Sequence, residues 1–80
     1  MYDEIFELLK KNTDGYFTSK DAKDILDFNN YKYIQKTDEG FRIKEIRLGI
    51  EEVIEVLNEL SKNGYLDFDD SGKVYKYKVI

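Results

Sequence analysis

The chain contains no cysteine and no histidine. The first absence excludes disulfides and fits a reducing, intracellular compartment. Together the two exclude the usual zinc sites, which draw on thiolate and imidazole ligands. No apolar run approaches the roughly 20 residues that span a bilayer, so no membrane partner is expected. The opening residues, MYDEIFELLKK, carry acids where a secretory signal needs basic residues, and the expected location is the cytoplasm. A basic excess is missing as well. Thirteen basic residues face seventeen acids for a net charge of −4, whereas proteins that hold nucleic acid broadly are usually net basic. No repeat, linker or low-complexity segment divides the 80 residues. A single domain over residues 1–80 is therefore expected, near the small end of what folds without a staple.

What is present suffices for one core, with 41% hydrophobic and 15% aromatic residues. The charge is segregated along the chain. Residues 1–30 sum to −3, residues 31–47 to +2, residues 48–70 to −6 and residues 71–80 to +3. Any nucleic-acid contact must therefore come from a local patch.

Leu48 to Leu66 carries the clearest pattern. Ile50, Val53, Ile54, Leu57 and Leu60 place a stripe on one helix face, and Lys62-Asn63-Gly64 supplies a terminal charge and a stop. Upstream, Tyr2, Ile5, Phe6 and Leu9, widened by Leu8, form a first helical stripe that Asn12-Thr13-Asp14-Gly15 ends. Tyr16 and Phe17 allow only a short strand. Thr18 to Asp21 reads as a capping box opening a second helix, with Ala22, Ile25 and Leu26 inward and an end near Phe28.

Residues 31–47 admit two readings. In the first, Thr37-Asp38-Glu39-Gly40 turns a hairpin with Tyr31, Tyr33, Phe41 and Ile43 on one face and Lys32, Lys36, Arg42 and Lys44 on the other. In the second, Ile43, Ile46, Ile50, Val53, Leu57 and Leu60 continue a 3.5-residue repeat as one long helix or coiled coil, which would also offer a homodimer interface. Gly49 would cost such a helix about 1 kcal/mol relative to Ala, so a break at Gly49 is favoured. At the C-terminus, Leu66 and Phe68 share parity, as do Tyr75, Tyr77 and Val79. An even-length turn between them brings both sets to one face of an antiparallel hairpin, with Asp67, Lys76 and Lys78 set for cross-strand ion pairs on the other.

Taken together, Ile5-Phe6-Glu7-Leu8-Leu9, Gly15 to Asp21, and Leu48-Gly49-Ile50 leading into Leu57 to Leu66 resemble the winged-helix family. The resemblance implies an α+β fold of three helices with a C-terminal β-hairpin wing over Asp67 to Lys73, plus an extra hairpin in residues 31–46. Residues 29–47 depart from the family, which joins its second and third helices by a short turn. An alternative alignment makes Phe41 to Leu48 the middle helix and Ser19 to Phe28 an addition. The resemblance also implies double-stranded DNA as a partner, with the third helix in the major groove. Off its buried stripe, however, that helix carries Glu51, Glu52, Glu55, Asn58, Glu59 and Lys62. Carboxylates on that face oppose the phosphates that supply most of the affinity.

Two functions follow as expectations. The first is a small DNA-binding regulator of transcription or replication. It would touch the duplex through its wing (Lys73, Lys76 and Lys78) and through Lys32, Lys36, Arg42, Lys44 and Arg47, interleaved with Tyr31 and Tyr33. The same basic residues also suit a solvated, edge-protecting strand face, and the wing lysines suit pairing with Asp67, Asp69 and Asp70. The second is a protein-interaction module that offers Glu51, Glu52, Glu55 and Glu59 to a basic partner or to another copy. No enzyme is expected, because an acidic row without histidine or cysteine reads as a solvated helix face. Asp67 to Val74 imitates the start of a calcium loop, but its twelfth position is Lys78 where a bidentate Glu is needed. A hairpin turn accounts better for these residues, and neither metal nor cofactor is expected.

Overall fold

The computed structural model describes residues 2–36 and 43–80, with side chains described outside 33–36 and 43–46. Helix α1 (Asp3–Asn12) leads to α2 (Ser19–Phe28), strands β1 (Tyr33–Lys36) and β2 (Ile43–Ile46), helix α3 (Ile50–Lys62), and strands β3 (Leu66–Asp69) and β4 (Lys76–Val79). The arrangement is α+β, with two two-stranded antiparallel sheets, β1–β2 and β3–β4. No helix among the described residues is long and apolar enough to cross a membrane.

The boundaries of α2 and the C-terminal stop of α3 have local chemical causes. The Thr18 hydroxyl accepts from the Asp21 N–H at 3.2 Å while the Asp21 carboxylate accepts from the Thr18 N–H at 3.0 Å, closing the expected capping box. At the other end of α2, Asn30 adopts φ 54°. Its N–H donates to Asp27 and that of Tyr31 to Leu26, the paired bonds of a Schellman stop. Helix α3 ends the same way. Gly64, at φ 84°, donates to Ser61, and Tyr65 donates to Leu60. A side chain at Gly64 would be strained by that backbone angle.

The long-rod alternative is overturned. Residues 43–46 pair as a strand, and Gly49 is the extended N-cap of α3, so the helix begins where the glycine makes continuation unfavourable. The same strand removes the alignment that put a helix over Phe41 to Leu48. The register of β1–β2 pairs Lys36 with Ile43 and Lys44 with Gln35. That differs from the expected faces, which grouped Lys36 with Lys44 and Tyr33 with Ile43. The expected turn at Thr37 to Gly40, together with Phe41 and Arg42, lies outside the described residues.

The core gathers Ile5 and Leu9 of α1, Ala22 and Leu26 of α2, Val53, Val56, Leu57 and Leu60 of α3, and Phe17, Leu66 and Tyr77. Val56 replaces the expected Ile50 and Ile54: the buried arc of α3, set against α2 and β3, runs through Val53, Val56, Leu57 and Leu60, while Ile50 stays exposed and Ile54 half-buried. Val53, Leu57 and Leu60 are thus covered by the chain's own packing.

Tyr77 connects the parts. Its backbone N–H and C=O bond Phe17 in both directions, at 2.8 and 2.7 Å, adding one antiparallel bridge to the β3–β4 hairpin. The ring is 1% exposed and lies 6.2 Å from that of Phe17 and 5.4 Å from that of Phe68. Its hydroxyl donates to Asn58 Oδ1 of α3 at 2.8 Å. Burial, and secondarily Tyr75, raises the pKa of this phenol. A raised folded value means that the stability contributed by the neutral form is complete below about pH 10 and is lost as pH rises through the folded value. Tyr77→Phe is predicted to cost about 1 kcal/mol for the hydrogen bond, and Tyr77→Ala about 3–5 kcal/mol for the ring, in urea denaturation. Tyr77→Phe should also lose less stability than the natural chain above about pH 10. Equal losses from the two substitutions at neutral pH would show that the ring contributes nothing to packing.

Candidate interaction surfaces

The acids of α3 divide by their position around the helix. Glu51, Glu55 and Glu59 are exposed, and no ion pair engages any of them among the described residues. Glu52 is half-buried and turned back on its own helix. Its carboxylate accepts the Gly49 N–H at 3.2 Å, the reciprocal half of a capping box whose other half a glycine cannot supply. Of the four acids expected to meet a partner, three face solvent and one holds the helix start. Asn58, on the same outer face, is tied to the hairpin through Tyr77.

The expected basic patch over residues 31–47 is only partly within the described side chains. Lys32 is exposed. Arg47 is engaged: its Nη2 donates to Asn30 Oδ1 at 3.2 Å and its Nη1 lies 4.0 Å from Asp27 Oδ1. Asp27 also pairs with Lys23 at 2.9 Å, and Lys23 reaches the Leu48 carbonyl at 3.4 Å. Arg47 thus belongs to a surface cluster joining the end of α2 to the entry of α3. The side chains of Lys36 and Lys44, and all of Arg42, lie outside the described residues.

On the C-terminal hairpin the register is the expected one: Leu66 opposes Val79, Phe68 opposes Tyr77, Asp67 opposes Lys78 and Asp69 opposes Lys76. The cross-strand ion pairs are not made among the described residues. Asp69 instead accepts the Ser71 hydroxyl at 2.6 Å and its N–H at 2.9 Å. Those two bonds, the hydroxyl first, hold its carboxyl below the usual range, against slight desolvation and with a lesser contribution from Lys76. A lowered folded value means that this contribution is present at neutral pH and is lost as pH falls through it. Lys78 sits 5.6 Å from the centre of the Tyr16 ring, within cation–π range. Lys73, Lys76 and Lys78 are all exposed.

A groove between the start of α1 and the end of α3 was not foreseen from the sequence. Tyr2, Asp3, Phe6, Glu59, Asn63 and Tyr65 line it over Leu60, enclosing about 350 Å³. The Phe6 and Tyr65 ring centroids are 5.4 Å apart with planes at 59°. A second hollow of about 320 Å³ shares Tyr2 and adds Tyr31, Leu48, Glu52 and Glu55. Burial, then the charge of Glu4, raises the pKa of Tyr31 at its edge. The available signals were Tyr2 and Phe6 one turn apart and Tyr65 just past the helix stop. All three also fit a plain core stripe. Comparison of the chain with protein-family models, curated proteins and solved structures finds no match.

The division of the acids predicts unequal effects on stability. Glu51 and Glu52 both lie in the first turn of α3 and share its dipole, so the difference between their alanine variants reads what the Glu52 side chain adds beyond that dipole, its cap included. Glu52→Ala should lower unfolding stability by about 1 kcal/mol more than Glu51→Ala; equal values in urea denaturation would remove the capping role.

Proposed function

We propose that this chain is a protein-interaction module of winged-helix shape that presents the acidic face of α3 to a basic partner. The order of helix, single bridging residue, helix, helix and hairpin supports the winged-helix reading, with the β1–β2 strands inserted where the family has a short turn. The observation that carries the function is the exposure of Glu51, Glu55 and Glu59 without neutralising bases among the described residues. Charges of one sign within a Debye length, about 10 Å at 0.1 M salt, attract a cationic surface and repel a phosphate backbone. The helix that the family ordinarily places in the groove therefore carries the wrong sign for it.

A second reading is a DNA-binding regulator of transcription or replication that contacts the backbone through the wing. The exposure of Lys73, Lys76 and Lys78, with Asp69 held by Ser71, favours it.

One pair of titrations separates the two, with a Lys/Arg-rich peptide and a short DNA duplex as probes at low and raised salt. The interaction reading predicts peptide binding that weakens with salt. It also predicts an affinity loss of about tenfold or more when Glu51, Glu55 and Glu59 are together changed to Gln. Duplex binding that Lys73, Lys76 and Lys78→Gln abolish, with no peptide binding, would establish the regulator instead.

A further inference from the structure

We propose that the groove between α1 and α3 is a receptor for a single cationic side chain, the lysine or arginine of a partner's basic segment. This rests on the acidic-face reading and adds to it a defined anchor point. Three aromatic residues, Tyr2, Phe6 and Tyr65, line the groove together with Glu59, and no basic side chain lines it among the described residues. The inclined planes of Phe6 and Tyr65 form a corner whose ring faces point in different directions. A ring face attracts a cation through its quadrupole, most strongly where water is excluded.

Glu59 supplies the charge. Asn63 Nδ2 donates at 2.9 Å to the Glu59 backbone carbonyl and, at 3.4 Å, to its Oε2, so the carboxylate with its several acceptor positions keeps most of its capacity to accept. An apolar guest covering this groove would desolvate the acid without compensation, and an anion would be repelled. A guanidinium or ammonium satisfies both the rings and the acid. The volume of about 350 Å³ lies at the lower end for ligand pockets and suits one long side chain. Tyr65 is 51% exposed, so its ring has apolar area still to bury on binding. The adjoining hollow, with Glu55, carries the same charge along α3 to meet neighbouring basic residues of the segment.

The test uses an arginine-containing peptide and its citrulline counterpart, which keeps the shape and removes the charge, followed by NMR of the full chain. The arginine peptide should shift the ring signals of Phe6 and Tyr65 and the side-chain amide of Asn63, and the citrulline peptide should not. Tyr65→Leu should weaken binding about fivefold and Glu59→Gln by a similar factor, while Tyr65→Phe, which keeps the ring, binds as the natural chain does. Retained amide spectra check that each variant folds. If Glu51→Gln and Glu55→Gln weaken binding but Tyr65→Leu does not, the groove is not the anchor and the acidic face alone is the site. If the arginine peptide does not bind even at low salt, both the groove and the interaction reading are overturned.

Discussion

Tyr77 joins three segments: the α1–α2 connection, the C-terminal hairpin and α3. Its backbone bridges Phe17 in the connection between α1 and α2, its ring fills the space beside Phe17 and Phe68, and its hydroxyl reaches the outer side of α3. Buried polar atoms are costly unless paired, and this phenol is paired, so it fixes the hairpin against the helix as well as covering the core. The rotation of α3 about its own axis is set by its buried arc of Val53, Val56, Leu57 and Leu60, and the Asn58 contact agrees with it. Which acids face solvent follows from that rotation.

With α3 held, its charge divides into structural and available parts. Glu52 closes the helix start at Gly49, while Glu51, Glu55 and Glu59 remain outside. The basic residues divide similarly. Arg47 is held by Asn30 and Asp27 and Lys78 lies over Tyr16. Such exposed contacts contribute little to stability, typically below about 1 kcal/mol, but they separate the charges engaged within the described residues from those that are not. The acids of α3 and the aromatic groove beside them form the surface whose sign and shape agree.

Much of the fold was legible in the sequence because its signals are local. A capping box at Thr18, the glycine before α3, the asparagine and glycine stops, and the two-residue periodicity of Leu66, Phe68, Tyr77 and Val79 each act over a few residues, and each appears where expected. The misassignments were of another kind. Ile50 and Ile54 fitted the helical period as well as Val56 did, yet Val56 is buried, since only the packing of α3 against its neighbouring elements selects the inward arc. Asp67 and Asp69 stood opposite lysines in the correct register, but a nearer donor at Ser71 took the Asp69 carboxylate.

The sequence by itself determined where helices start and stop, the C-terminal register and the concentration of acid on α3, because backbone propensity, capping and composition operate within a turn or a ladder. Tertiary structure alone decided which arc of α3 is buried, and that Tyr65 meets Tyr2 and Phe6, far from it along the chain, around Glu59. The reason is geometric. Adjacency across elements depends on how two helices pack and rotate, and no periodicity within either helix encodes that.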